Sequence, residues 1–384
     1  MSVVVDGSNG LTFNDGTAQV TAASGFGFKN RIINGAMNIW QRGTNFPQTG
    51  LSFGSVYLAD RFYIESTNST AAATWSQVQD APAGFTYSLK QTVTATQAAP
   101  TATGHYYGLC QQIEGYNFAD LAYGTAQAAS AVLSFWVKSS VTGTFSASFI
   151  LTGGTPGEKT YPFTYTIAAS NTWTQVIINI PGNTSTAPTS VTIGAAARVE
   201  FYTLLSAGYA TGTAGTWNTN ASANQYASTQ GVNLFATSGA TWQITGVQFE
   251  KGSTATAFDY RPYSAELQLC QRYFIKSFEP GTAPANGAAA GINGTFTAYN
   301  ATNSYGIVLT YPVQMRSVPT VAFYGVNGAT GVWDVYKGAG WGASTSTTVN
   351  SPSSTCLSVF IGSTGMTAWA SYLLSGNYTA NAEL

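Results

Sequence analysis

The stretch Trp242-Gln243-Ile244-Thr245-Gly246-Val247-Gln248-Phe249 decides the fold. Trp242 and Ile244 alternate with Gln243 and Thr245, the period-two pattern of a strand with one buried face. After Gly246 the apolar phase moves by one residue, to Val247 and Phe249. A β-bulge at Gly246 returns both halves to the same face, so the segment reads as one long, locally kinked strand of a packed sheet. Outward from it the alternation recurs: Leu133, Phe135 and Val137 against Ser134, Trp136 and Lys138, and Val176, Ile178 and Ile180 against Gln175, Ile177 and Asn179. Short strands separated by Gly, Asn, Ser and Pro, without a long helical period, predict an all-β chain. Its main body, residues 31–262, reads as an antiparallel jelly-roll β-sandwich.

The flanks read differently. In residues 1–30, Leu11-Thr12-Phe13 and Ala18-Gln19-Val20 surround Asn14-Asp15-Gly16-Thr17, where Asp-Gly signals a tight hairpin. A two-stranded ribbon this short cannot bury its own apolar face. It is therefore expected to be an attachment and trimerisation segment, completed by sister chains, with Leu11, Phe13, Asp15, Gly16 and Val20 as its working residues. Beyond the sandwich, Pro262 and Ser264 supply a helix start, Glu266 sits in the first turn, and Leu267, Cys270 and Phe274 fall on one face. These predict a linking helix over 263–279. Residues 280–384 read as a small C-terminal β-domain, opening with a Gly/Ala-rich loop over 280–296 and carrying strands near 307–309, 321–324, 357–361 and 369–373.

Composition removes several function classes. Only 8% of the 384 residues are charged, and 14 Lys+Arg against 15 Asp+Glu leave a net charge of -1. No cationic field exists to hold a phosphate backbone, so nucleic acid is not an expected partner. With one histidine, a Ser-His-Asp arrangement would have to use His105, and a multi-histidine metal site cannot be built. Cys110, Cys270 and Cys356 offer neither a disulfide framework nor zinc spacing and are expected to be buried thiols. No metal or cofactor is predicted. No run approaches the roughly 20 apolar residues that cross a bilayer, and the N-terminus lacks signal-peptide features, so no membrane insertion is expected and the chain reads as soluble and made in the cytoplasm.

Among candidate sites, Gly331-Val332-Trp333-Asp334-Val335-Tyr336-Lys337-Gly338-Ala339-Gly340-Trp341 packs aromatics and charges between glycines. Such flanks favour a loop or hairpin tip that displays its aromatics, which is what a neutral glycan requires. Trp333, Asp334, Tyr336 and Trp341 are therefore the expected receptor contacts; the competing reading is a strand pair filling the small domain's core. Trp217 and Tyr226 form a weaker case of the same kind. Trp40, Arg42, Asp60 and Arg61 could line a sugar cleft, but an Asp-Arg clasp near the domain's start, mirrored by Asp259 and Arg261 at its close, is the expected role. Glu250 and Asp259 could form a glycosidase pair, but both belong to the same structural close. The chain is not expected to be an enzyme.

Four segments together carry a resemblance. Gly10-Leu11-Thr12-Phe13-Asn14-Asp15-Gly16-Thr17-Ala18-Gln19 resembles the leader of trimeric bacteriophage tail fibres. Asn34-Gly35-Ala36-Met37-Asn38-Ile39-Trp40-Gln41-Arg42-Gly43-Thr44, followed by Ala59-Asp60-Arg61-Phe62, is similar to the opening of a jelly-roll domain of phage fibre and receptor-binding proteins. Val247–Gly252, Phe258-Asp259-Tyr260-Arg261-Pro262 and Leu269-Cys270-Gln271-Arg272-Tyr273 look like its close. Pro312-Val313-Gln314-Met315-Arg316-Ser317-Val318-Pro319-Thr320 and the terminal Tyr378-Thr379-Ala380-Asn381-Ala382-Glu383-Leu384 look like the small C-terminal domain of the same proteins. The resemblance implies a homotrimeric receptor-binding tail fibre of the virion. Its leader would dock on tail or baseplate proteins, and its β-domains would adhere to a host cell-surface polysaccharide. A structural virion component, for baseplate or capsid decoration, and a tailspike-like polysaccharide depolymerase are the alternatives.

Overall fold

The computed structural model describes residues 4–6, 10–12, 18–19, 29–49, 52–67, 71–97, 105–153, 158–219, 225–289 and 291–384. The chain is all-β, with antiparallel sheets and, among the described residues, one α-helix, Tyr263–Gln271. The strand Thr241–Lys251 carries the expected bulge. Its register against Ala131–Ser139 shifts between the pairs Ser134↔Gln248 and Trp136↔Thr245, so Gly246 and Val247 together face Phe135. Gly246 adopts φ +62°, a left-handed value that glycine takes without strain. As a result Trp242, Ile244, Val247 and Phe249 all join one buried core.

That core lies between two sheets. One orders Thr174–Ile180, Ala131–Ser139, Thr241–Lys251, Ser88–Ala95, Ala72–Val78 and Asn45–Thr49. The other orders Asn218–Thr219, Lys159–Ile167, Gly143–Leu151, Ala195–Leu205, Tyr106–Glu114, Tyr63–Thr67 and Ser52–Tyr57. Leu133, Phe135 and Val137 point inward as their alternation predicts. Buried indoles need a partner for their N–H. Trp75 Nε1 donates to the Tyr107 hydroxyl at 3.0 Å, and Trp242 Nε1 to the Tyr165 hydroxyl at 3.1 Å.

The start and close of the sandwich are tied together. Asn30 donates from Nδ2 to the Val247 carbonyl at 3.0 Å, and its Oδ1 accepts from Phe249 N at 3.0 Å. Asp259 Oδ2 accepts from Asn30 N at 3.1 Å, and the Arg261 guanidinium reaches Asp259 at 3.5 Å and Glu266 at 3.2 Å. Asn34, at φ +60°, accepts from Asn38 N and Ile39 N at 2.9 Å and donates to the Ile39 carbonyl at 2.8 Å. The expected clasp therefore exists, but the partners differ from the sequence reading. Asp60 accepts from Gln41 N at 2.9 Å and stands 4.0 Å from Arg42, while Arg61 pairs with Glu383 rather than with its neighbour.

The helix ends at Gln271, not near 279, and Phe274 leaves its face to begin the strand Phe274–Lys276. Leu267 and Cys270 do pack against Ile33 and Ile39. The C-terminal sheet orders Trp341–Ala343, Asp334–Tyr336, Ser371–Asn381, Ile292–Ala298, Asn303–Thr310, Cys356–Gly362 and Ser346–Pro352, and Ser371–Asn381 also pairs with Phe274–Lys276 and Thr320–Tyr324. The predicted loop over 280–296 thus gives way to a strand at Ile292, because Phe296 and Ala298 alternate into this second core. Cys110 and Cys270 are buried free thiols and Cys356 is half-buried. In the leader, Gly10–Thr12 and Ala18–Gln19 pair as the hairpin predicts, through Leu11↔Gln19, and a third strand, Val4–Asp6, adds to them. Phe13, Asp15, Gly16 and Val20 lie outside the described residues.

A Cβ at position 246 would stand 2.7 Å from Phe85 Cζ and 3.0 Å from Trp136 Cδ1, on a backbone that disfavours any side chain. Gly246→Ala is expected to lower unfolding free energy by about 1–3 kcal/mol in urea titration. A variant as stable as the parent would refute the bulge.

Candidate ligand-binding cleft

Along Ala195–Leu205 the residues Ala197, Val199 and Phe201 enter the core. Arg198, Glu200 and Tyr202 therefore project from the opposite face of the seven-stranded sheet. Cross-strand pairing gathers more polar and aromatic groups there: Cys110 opposite Glu200, Tyr106 opposite Leu205, and Gly108 between Glu65 and Tyr202. Gly108 leaves the floor open, since a Cβ on it would lie 3.1 Å from Glu200 Oε1.

Part of this face is covered by the segment after Ser206, described at residues 206–219 and 225–231. Its carbonyls accept hydrogen bonds from strand hydroxyls: Ser146 Oγ to Thr229 O at 2.6 Å, Thr160 Oγ1 to Gln225 O at 2.6 Å, and Ser148 Oγ to Tyr226 O. So anchored, it places Tyr209 and Tyr226 above the sheet. The rings of Tyr106 and Tyr209 meet edge to face at 5.3 Å, Tyr209 and Tyr226 at 5.5 Å, and Tyr106 and Tyr202 at 6.3 Å. With Glu65, Glu158, Arg198, Glu200 and Leu205 they enclose a cavity of about 280 Å³.

The charges inside are paired around Arg198. Its NH1 donates to Glu158 Oε1 at 2.8 Å and its Nε to Glu200 Oε2 at 3.4 Å, and the Tyr226 hydroxyl donates to Glu158 Oε2 at 3.3 Å. Burial pushes the Glu200 carboxyl up to about 7, with the Glu65 charge adding to the shift and Arg198 opposing it. Burial likewise raises the Tyr106, Tyr202 and Cys110 groups, with Glu200 adding to each. The buried Tyr202 hydroxyl lines the cavity with no hydrogen-bond partner of normal geometry. Glu65, Cys110 and Glu200 bring donor atoms within 4.8 Å of one another. Burial pushes the Cys110 thiol up and Arg198 Nε stands 3.4 Å from Glu200, so this donor set is a poor cation site.

Apart from Tyr226, the candidate residues singled out from sequence fall elsewhere. Trp333 is fully buried, correcting the expectation of display: its Nε1 donates to the Asn377 carbonyl at 2.7 Å and its ring meets Phe323 at 5.3 Å. A glycine-flanked stretch tells where a hairpin turns, not which face of it is buried. Asp334, also buried, accepts from Val326 N and Asn327 N at 2.7 and 3.0 Å. Tyr336 is half-buried and Trp341 is 45% exposed. Trp217 packs against Tyr161 and donates to the Pro181 carbonyl at 2.8 Å, whereas its companion Tyr226 is a cleft residue. Trp40 is buried, donating to the Met37 carbonyl at 2.7 Å. Glu250 accepts from Gln248 at 2.9 Å and from Thr256 at 2.8 and 2.6 Å, and so holds the sandwich's last turn. Sequence reasoning missed Tyr106, Arg198, Glu200, Tyr202 and Tyr209; the polar phase of 198, 200 and 202 in an otherwise apolar strand was the available signal.

No protein-family model and no curated protein matches the chain. Solved structures do. The enzymatically active domain of bacteriophage CBA120 tailspike protein 4 is 14% identical, with 58% of this chain and 21% of that one covered and a TM-score of 0.31. This chain thus spans about a fifth of that protein. The CBM22-1 xylan-binding domain of Paenibacillus barcinonensis Xyn10C is 8% identical over 59% of this chain and 96% of that one, at a TM-score of 0.29. The family 11 carbohydrate-binding module of Clostridium thermocellum is 12% identical over 56% and 99%, at 0.28. At these values the likeness carries nothing about ligand or activity. Among the described residues no helix is long and apolar enough to cross a membrane.

The raised Glu200 carboxyl has a thermodynamic signature. Between its unfolded value of 4.5 and about 7 the folded chain binds the extra proton, so this group's contribution to stability is complete below 4.5 and is lost as pH rises to about 7. Relative to Glu200→Gln, the parent is expected to lose stability across that window and to run parallel above it, as read by urea unfolding at stepped pH.

Proposed function

We propose that the chain is a non-enzymatic, glycan-binding fibre protein of the bacteriophage receptor-binding type, acting as a homotrimer. The observation that carries the binding role is the cleft of Tyr106, Tyr202, Tyr209 and Tyr226 around Arg198. Tyrosine rings offer apolar faces to the C–H side of a pyranose, while Glu158, Arg198 and the Tyr202 hydroxyl meet its hydroxyls. Glu65 and Glu158 outnumber the single Arg198 cation, which disfavours acidic sugars. The carboxylates are poorly placed for cleavage, because the guanidinium occupies the space between Glu158 and Glu200 where a glycosidic bond would have to sit.

The virion role, with attachment to tail or baseplate and to a host polysaccharide, rests on the four resembling segments. The trimer rests on the leader, whose strands of three, three and two residues are too short to stand alone. Three copies of a weak site on one fibre gain orders of magnitude in avidity, so a cleft of modest affinity suffices.

Sedimentation equilibrium of the full chain is expected to return three times 40.2 kDa, and loss of residues 1–28 to return single copies. A full chain that stays single at micromolar concentration refutes the trimer. On a glycan array, Tyr209→Ala combined with Tyr226→Ala is expected to weaken binding about tenfold or more while the melting temperature holds, at about 1 kcal/mol for each ring. Unaltered binding would reject the cleft.

A further inference from the structure

The C-terminal sheet presents a second feature, independent of the cleft. Cross-strand pairing sets Trp341, Tyr336 and Leu373 in one row, and Ala343, Asp334, Ser375 and Asn293 in the row two residues along. Both rows lie on the same face, opposite to Val335 and Leu374, which enter the core. On this face Trp341 is 45% exposed and Leu373 46%, and the Trp341 ring is braced by Tyr336 at 5.6 Å. Beside the indole, Asn293, Val326, Asn327, Asp334 and Ser375 enclose a hollow of about 220 Å³.

The lining is built for hydroxyls. Asp334 is held by Val326 N, Asn327 N and Asn327 Nδ2, the last at 3.1 Å to Oδ1, so its carboxylate is fixed at the base of the hollow. Ser375 Oγ donates to Asn293 Oδ1 at 2.9 Å, which fixes that amide and leaves its Nδ2 as a donor without a partner among the described residues. Asn327 Oδ1 is likewise an acceptor without a partner among the described residues. Donor, acceptor and carboxylate thus converge beside an exposed indole face, and no cation lines the hollow. A ring with one apolar face and several hydroxyls matches this set, whereas an acidic sugar would meet the Asp334 charge unopposed.

We propose that the Trp341 hollow is a second sugar site, taking one neutral pyranose with its C–H face on the indole and its hydroxyls on Asn293, Asn327 and Asp334. It extends the glycan-binding reading to a surface that does not depend on the tyrosine cleft. Two sites on one chain let a branched or repeating surface glycan be gripped at two points.

The test is saturation-transfer NMR on the full chain with three probes, the methyl glycosides of glucose, galactose and mannose, and with glucuronic acid as the acidic comparison. At least one methyl glycoside is expected to receive saturation from the Tyr209→Ala/Tyr226→Ala protein, and no signal is expected from glucuronic acid. Trp341→Ala in that background is expected to reduce the signal at least fivefold, and Trp341→Phe to retain most of it. Thermal melting of each variant checks the fold. Signal unchanged by Trp341→Ala, absent for all three glycosides, or equal for glucuronic acid overturns the proposal. If instead the cleft variants bind like the parent and only Trp341→Ala fails, the second site stands and the cleft reading falls.

Discussion

The structure depends on one buried carboxylate. Glu383 lies between Arg42 and Arg61, reaching Arg42 NH2 at 3.0 Å and Arg61 NH1 more closely still. Those guanidinium groups rest on aromatic rings, Arg42 3.7 Å from the Phe274 centroid and Arg61 3.6 Å from that of Tyr273. A pair of arginines this deep is tolerable only with a counter-charge in place, so the end of the described chain is bound into the sandwich that begins near residue 30. Arg316 adds to the same joint, donating to the carbonyls of Ala382, Glu383 and Ile193 at 2.7, 2.8 and 3.0 Å. Glu114 completes it, accepting from Arg272 at 2.5 and 2.9 Å and from the Tyr273 hydroxyl.

This joint explains why some parts of the chain were legible and others were not. The bulge at Gly246 could be read because both halves of its pattern sit within eight consecutive residues. The Asp60-Arg61 motif announced itself as a clasp, yet the chief partner of Arg61 is more than 300 residues away, beyond any local rule. Asp60 beside Arg61 looked like a pair, and the backbone sends their side chains to Gln41 and Glu383 instead. Arg42, Arg61, Arg272, Tyr273, Arg316 and Glu383, from distant parts of the sequence, meet at this joint.

The cleft and the hollow were hidden for the opposite reason. Their walls come from strands and crossing segments at residues 65, 106, 158, 198–202, 209 and 226 in one case and 293, 327, 334, 341 and 375 in the other. No spacing within one element records such a gathering; cross-strand pairing creates it. Trp333 shows the converse error, since a large aromatic between glycines looks displayed until the sheet fixes its side. Tyr226, Asp334 and Trp341 were noticed in sequence and line these two cavities.

The way the covering segment is fastened has an evolutionary consequence. Ser146, Ser148 and Thr160 grip it by its carbonyl oxygens, and every amino acid supplies a carbonyl oxygen. The fasteners sit on the strands, and Tyr209 and Tyr226 on the segment, so these two cleft side chains can be exchanged without undoing the fastening. Point changes at 209 and 226 can therefore reshape the lining of the cleft while the scaffold beneath stays as it is.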